Sequence, residues 1–450
     1  MKNKFAKTLA LALAFALLVG LSACGGGTES KTTATNTTSA STTTAKTAAD
    51  GDPVKMRMMW WGPDTRHEAT LKAIELYKKV KPNVTFTTEY LGWDGYWNKL
   101  VVLAASNTMP DVLQMDAQYI DNYVSKNQLA DISSIDLGGV VPEQTLENLK
   151  VGGKLYTVPL GYNGAGMVYN KTELEAAGIT LPKKGWTWDD MFAYIDEARE
   201  KLPKGKYPMF DFSDIWEQYQ LYQVSMGGGP VIDGSRLNLD KNLWLSMMER
   251  MDKYRKEGKV PPVVETLSFV ENDVQHDPMA SGKVMLSFRT VGSVGALASL
   301  MPNAELGIVN CPTGSNGGGW AQPTIFFCVG ANSPHIKEAM EFERWFVTDT
   351  AAGESLMTVR GLPISDEVYG KIKSKLNPAD ILGKGIYDVA VSNKPSPFYP
   401  SPAQFNEFVA RPSGIYKSTM EQYMFGKLTL QEAYDKLIKS GEELGNKTVK

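Results

Sequence analysis

From Val54 to Met115 the sequence switches repeatedly between a period of two and a period near 3.6, and few architectures accept that alternation. Val54, Met56, Met58 and Trp60 alternate with Lys55, Arg57 and Met59, the pattern of a strand with one face buried. Gly62-Pro63-Asp64 turns the chain. Thr65-Arg66-His67-Glu68 then spells a capping box, with Thr65 as N-cap and Glu68 three residues on. Leu71, Ile74, Tyr77 and Val80 continue at helical spacing until Lys81-Pro82 stops them. Val84, Phe86, Thr88 and Tyr90 alternate as a second strand, a helix is expected from about Asp94 to Ala105, and Val112 to Met115 reads as a short third strand. Strands separated by helices predict an α/β fold with a mostly parallel sheet covered on both faces. In such sheets ligands bind outside the carboxyl ends of the strands.

The pattern resumes further on. Strand-like Lys154 to Leu160 leads into a turn-rich junction, Gly161 to Gly166, and a second α/β unit follows. Helices are predicted near Asp189–Lys201, Ser213–Ser225, Lys241–Lys256 and Gln275–Ser281, with strands at Val284–Phe288, Leu306–Val309 and Thr324–Val329. A polar amphipathic helix is predicted from about Thr429 to Leu444.

The N-terminus carries a different kind of information. Lys2, Lys4 and Lys7 precede an apolar run, Leu9 to Leu21, whose 13 residues suit a signal peptide better than a membrane span. The run ends in Leu21-Ser22-Ala23-Cys24, which resembles the lipobox of bacterial lipoproteins. That resemblance implies removal of residues 1–23 and acylation of Cys24. Residues 25–52 hold ten Thr among 28 residues and no large apolar side chain, so they read as a disordered tether. About 400 residues remain to fold, enough for two full cores. Three lysines leave with the leader and deepen a net charge of −3, which argues against nucleic acid as partner. Cys311 and Cys328 read as buried thiols, since so large a domain needs no staple, although a disulfide between them stays open. Three scattered histidines and no Cys-x-x-Cys speak against a structural zinc site.

Several segments, in order, resemble family 1 extracellular solute-binding proteins, the maltose-binding-protein-like sugar receptors of ABC importers. They are Lys81-Pro82-Asn83-Val84-Thr85-Phe86, Met109-Pro110-Asp111-Val112, Gly153 to Pro159, Tyr169-Asn170-Lys171, Trp186 to Asp190 and Ala280 to Val284. Trp60-Trp61-Gly62, with Arg66-His67 and Gly92-Trp93-Asp94-Gly95, is similar to the oligogalacturonide-binding branch. The resemblance implies a two-lobe, periplasmic-binding-protein-like fold of type II, with discontinuous lobes and a hinge of crossing strands. Residues 53–161 with 326–395 would form lobe one, and 162–325 with 396–450 lobe two. The crossings would fall near Leu160–Gly164, Thr324–Val329 and Ser392–Tyr399. It further implies a monomer without cofactor, lipid-anchored at the extracytoplasmic face of the bacterial cell membrane, that passes an oligosaccharide, neutral or acidic, to the permease subunits of an ABC transporter.

A sugar presents hydroxyls around its rim and apolar C–H faces above and below, so a receptor needs carboxylates, amides and flat aromatic rings. Candidates at the strand ends are Trp61, Asp64, Arg66 and His67, then Trp93, then Asp116, Gln118 and Tyr119. Tyr162 and Asn163 sit on the first crossing; Asp211, Trp216 and Arg289 belong to the second unit; Trp320 and Gln322 border the second crossing. With a helix starting at Thr65, Arg66 and His67 would stand at its positive end, a place that favours a ligand carboxylate. Duller roles compete: Asp64 as turn support, Asp116 as a helix-entry carboxylate, Arg66 as a solvated partner of Asp64. Trp60 and Trp61 face opposite ways, and Trp61 is expected toward the cleft. Trp97 and Trp244 read as packing residues, Trp186 and Trp188 as a surface loop and helix start, His276 and His335 as solvated. The rival function is an envelope-tethered carbohydrate-active enzyme, for which Asp211 and Asp214 offer a carboxylate pair. Against it, His67-Glu68-Ala69-Thr70-Leu71 lacks the second zincin histidine, and no Gly-x-Ser-x-Gly elbow or Walker A loop occurs.

Overall fold

One mixed sheet runs through the whole folded body. The structure, a computed structural model, describes residues 51–396, 399, 401–410 and 413–446, so the leader, Cys24 and nearly all of the tether lie outside the described residues. Its strands are β1 (Val54–Trp61), β2 (Val84–Leu91), β3 (Val112–Asp116), β4 (Val158–Asn170), β5 (Leu286–Thr290), β6 (Leu306–Asn310) and β7 (Ala321–Val329). The order is β2-β1-β3-β7-β4-β5, with β6 also on β4. Only β1 with β2 and with β3 are parallel; β7 runs antiparallel to β3 and β4, and β4 antiparallel to β5 and β6. The expectation of a mostly parallel sheet thus holds at one end alone. The difference comes from β4 and β7, which cross from one half of the molecule to the other and pair in opposite directions.

The two halves have separate cores. Alternation along β1 sends Met56, Met58 and Trp60 to one face of the sheet and Met59 and Trp61 to the other, each face covered by its own apolar cluster. A third, larger cluster gathers residues from Ala165 to Cys311 and from Phe405 to Leu444. β4 supplies Val158 and Leu160 to the first half and Ala165, Met167 and Val168 to the second. The α/β two-lobe architecture expected from the sequence is therefore the one observed. The helix Pro378–Val391, grouped with lobe one on sequence, instead packs on the helix Val291–Leu300 and on β4 and β6, with Ile386 in the second core. The third crossing lies partly outside the described residues; its Ser396 bridges Trp320 beside the start of β7.

Helix starts test local reasoning. Thr187 with Asp190 and Thr429 with Glu432 form reciprocal capping boxes ahead of the helices Trp188–Lys201 and Leu430–Gly445. Thr65 and Glu68 do not. The first helix runs Asp64–Val80, and the carbonyl of Pro63 accepts from the N–H groups of Arg66 and His67 at 2.9 and 3.2 Å. Thr65 therefore sits inside the first turn, and Arg66 stands third in the helix rather than first. Residues 275–281 form turns and no helix, because the Asp277 carboxylate takes the N–H groups of Asn272 and Met279, both at 3.0 Å. Trp186 and Trp188 are buried, not at the surface; their indole N–H groups donate to the Asn310 carbonyl at 2.8 Å and to Ser225 Oγ at 2.7 Å. Cys311 and Cys328 are free and buried. Among the described residues no helix is long and apolar enough to cross a membrane.

Candidate functional site

Where β2 and β3 end, the chain builds one wall of a cavity of about 530 Å³. β2 delivers Trp93, the first residue of the helix Trp93–Ala105, and β3 ends in Asp116, followed by Gln118 and Tyr119. The opposite wall is the helix Trp216–Ser225, which presents Trp216, Glu217, Gln220 and Leu221. Trp320, just before β7, and Ser396, Tyr399 and Asn406 add to the lining. The cavity thus lies between side chains of the first half and of the second, with crossing segments at its edge.

The first wall is fixed by aromatic packing. Trp61, buried beneath it, meets Trp93 edge-on with centroids 5.2 Å apart, and Trp97 lies 5.3 Å from both Trp61 and Trp93. Tyr119 packs on Trp97 at 4.1 Å. Trp93 remains 40% exposed, so a large apolar ring is held open to the cavity by rings that are themselves covered. Asp116 accepts from the Gln118 N–H at 3.1 Å, yet burial pushes its carboxyl up to about 6. On the far wall, Gln220 donates to the Tyr399 carbonyl at 3.2 Å and accepts from the Val231 N–H at 2.9 Å, which ties the helix to the third crossing. The charged side chains among the described lining residues are Asp116 and Glu217, both acidic. A second cavity of about 610 Å³ adjoins the first through Glu217, Leu221 and Trp320; Arg289, Phe269 and Lys417 line it.

Of the residues singled out on sequence, Trp93, Asp116, Gln118, Tyr119, Trp216 and Trp320 line the main cavity. Arg289 borders the adjoining one, but its Nη2 donates to Asp277 at 2.6 Å in a fully buried pair. The remainder lie elsewhere. Trp61 supports Trp93 from below. Asp64 is an exposed first-turn residue. Arg66 donates through Nε to the Val359 carbonyl at 2.9 Å and through Nη1 to the Trp61 carbonyl at 3.1 Å, and burial lowers its guanidinium to about 10. No contact with Asp64 accounts for it. His67 Nδ1 accepts from Trp60 Nε1 at 3.1 Å, and burial holds the imidazole below its usual range. Tyr162 packs on Tyr387 at 5.2 Å, and Asn163 and Gln322 pair across β4 and β7. Asp211 is wholly buried against Arg255 at 2.5 Å, and Asp214 lies 3.4 Å from Lys417, so the carboxylate pair considered for hydrolysis is interior and ion-paired. Glu217, Gln220, Ser396, Tyr399 and Asn406 were not anticipated. Gln220 lies four residues after Trp216, helical spacing that places it on the same face within the helix expected over Ser213–Ser225.

The chain matches a family model described as bacterial extracellular solute-binding protein over residues 72–379. The multiple sugar-binding protein of Streptococcus mutans is 23% identical to it over 353 residues, 73% of this chain and 79% of that protein. A carbohydrate ABC transporter substrate-binding protein of Streptococcus pneumoniae is 26% identical over 216 residues, 45% of this chain and 40% of that one. Among solved structures, a periplasmic oligogalacturonide binding protein of Yersinia enterocolitica, in complex with saturated digalacturonic acid, shares the fold with a TM-score of 0.70. That match has 22% identity and covers 87% of this chain and 98% of the other.

Proposed function

Because the chain belongs to the bacterial extracellular solute-binding proteins, we propose that it is the receptor of an ABC importer and that it binds a neutral oligosaccharide in the cavity between its two halves. The observation that carries this reading is the lining itself. Trp93 and Tyr119 on one wall and Trp216 and Trp320 at the other supply flat faces for sugar rings, while Asp116, Gln118, Glu217 and Gln220 supply acceptors and donors for hydroxyls. The sugar-binding names of the relatives support it.

An acidic oligouronide is the second reading, favoured by the digalacturonate bound to the Yersinia neighbour. Two observations weigh against it. Arg66 is occupied by main-chain carbonyls and Arg289 by Asp277, and the charged side chains that line the main cavity among the described residues, Asp116 and Glu217, are both acidic. Binding closes the two halves over the sugar about β4 and β7, with residues 53–161 and the chain after β7 up to about residue 377 moving as one lobe. The protein acts as a monomer without cofactor or catalysis, tethered outside the cell by an acylated Cys24, and hands its ligand to the permease subunits.

Calorimetry of the purified protein against neutral oligosaccharides and against di- and trigalacturonate, at pH 5 and pH 7, tests this. A neutral sugar that hydrogen-bonds the Asp116 carboxylate binds more weakly at pH 5, since protonation removes an acceptor. A uronide facing the same carboxylate would bind more tightly there. Tight uronide binding strengthened at pH 5 would replace the neutral reading, and hydrolysis of the bound sugar would replace the receptor reading.

A further inference from the structure

Beside the main cavity lies the second, of about 610 Å³, which shares Glu217, Leu221 and Trp320 with it. Its other lining residues belong to the second half of the molecule. The end of β5 contributes Phe288, Arg289 and Thr290, and the chain after the helix Val263–Leu267 contributes Phe269 and Val270. Most of the surface turned toward this cavity is apolar. Val270 is 54% exposed, next to Phe269 at 9%. A branched apolar side chain left this far in water contributes little burial to the fold, and covering it is favourable.

The polar groups around it are largely engaged with the protein. Arg289 donates through Nη2 to Asp277 at 2.6 Å, and through Nη1 to Ser287 Oγ at 2.8 Å and the Phe288 carbonyl at 3.0 Å. Lys417 donates to the Leu267 carbonyl at 3.0 Å and lies 3.4 Å from Asp214. The Thr290 hydroxyl is bonded to Ser293 Oγ at 3.2 Å. Glu217 and Glu271 are exposed, and Glu271 lies 3.9 Å from Arg289 Nη1. A further sugar ring would bring hydroxyls that must exchange water for protein partners, and few are open here. A ligand carboxylate would meet two exposed glutamates, while each cation that lines the cavity already holds a carboxylate. An uncharged apolar group meets neither obstacle.

We propose that the second cavity receives an uncharged aromatic group bonded to the sugar in the main cavity, so that the ligand is an aryl-substituted oligosaccharide. The inference rests on the sugar-receptor reading and adds the substituent to it. Leu221 and Trp320 belong to both linings, so a group attached to the last sugar enters the second space directly. Phe269 and Phe288 line that space and offer the ring aromatic partners.

Calorimetry with the phenyl and methyl glycosides of each neutral oligosaccharide that binds tests this. The phenyl glycoside should bind about tenfold or more tightly, with a more negative heat-capacity change, as burial of an aromatic ring requires. Val270→Asp changes an exposed residue that lines the second cavity and not the first. It should abolish most of that gain and leave the affinity for the methyl glycoside unchanged. Equal affinities for the two glycosides, or a gain that survives Val270→Asp, would overturn the assignment. Crystals soaked in phenol alone should show the ring against Phe269 and Val270 whether or not a sugar binds. If every oligosaccharide fails in calorimetry, the receptor reading falls, and the phenol soak still decides the cavity: a ring there keeps the aromatic site, and its absence removes it.

Discussion

Asp211 and Asp116 are both aspartates that the sequence offered as sugar ligands, one from each half, and their surroundings give them opposite duties. Asp211 is wholly buried and accepts from Ser213 N–H at 2.9 Å, from Ser213 Oγ at 2.5 Å and from Arg255 Nη1 at 2.5 Å. Arg255 also pairs with Asp252, which accepts from the Tyr423 hydroxyl at 2.6 Å, so the network stitches the helix Lys241–Lys256 to the helix Ile415–Met424. Asp116 makes no ion pair among the described residues, accepts from the main-chain N–H and the side chain of Gln118, and lines the cavity with its carboxyl raised by burial to about 6. Burial alone does not mark a functional carboxylate. A carboxylate whose acceptor sites the protein already fills is structural, and one left under-satisfied beside a cavity is available to a ligand.

The strongest way to break this contrast is Asp211→Ala. It removes the fully buried partner of Arg255, leaving the partly exposed Asp252, and should lower unfolding stability by about 3–5 kcal/mol in denaturant titrations, with sugar affinity unchanged in whatever fraction stays folded. Lost affinity at full stability would mean that Asp211 reaches the ligand after all. Trp93→Ala and Asp116→Asn make the converse case. Neither should lower the unfolding midpoint much, Trp93 being 40% exposed and Asp116→Asn relieving a buried carboxylate that costs stability at neutral pH, and each should weaken sugar binding about tenfold or more in calorimetry, since every 1.4 kcal/mol is a factor of about ten.

Titration sharpens the comparison further. Asp116 has a raised folded-state value, so the folded protein favours its protonated form and, for this group, stability falls as pH rises from about 4 to about 6. Affinity for a neutral sugar that needs the carboxylate runs the other way. It should drop about tenfold between pH 7 and pH 5 and become flat in Asp116→Asn. A pH-independent affinity in the unmodified protein would remove Asp116 from the site. The smallest expected effect belongs to Arg66→Ala. The side chain serves the carbonyls of Trp61 and Val359, so binding should change less than about twofold, while stability falls by about 1–3 kcal/mol, the cost of leaving those groups unpaired. A large loss of uronide binding in this variant would revive the acidic ligand.

Legibility followed the range over which each feature is encoded. Alternation in β1 and β2, the capping boxes at Thr187 and Thr429, and the placing of Trp93, Asp116 and Tyr119 at strand ends all rest on spacings of a few residues, and a reader of the chain finds them directly. Four of the six ligand candidates that line the main cavity, Trp93, Asp116, Gln118 and Tyr119, do so for that reason, because the ends of parallel strands face one edge wherever the sheet forms. The failures are of another kind. A capping box at Thr65 was the better local pattern, yet the carbonyl of Pro63 two residues earlier already received the first N–H groups.

By itself, then, the sequence determined the α/β class and the aromatic and polar character of the strand ends, since these follow from side-chain periodicity and residue chemistry, whereas the crossings were implied by the family resemblance. Tertiary structure alone decided which polar groups remained free. Arg66 met a carbonyl 293 residues away, Asp211 an arginine 44 residues on, and Gln220 the backbone of Tyr399 at a distance of 179 residues. Partners so distant leave no periodic trace in the chain, and a hydrogen-bonding group is assigned to ligand or to scaffold only when its neighbours in space are known.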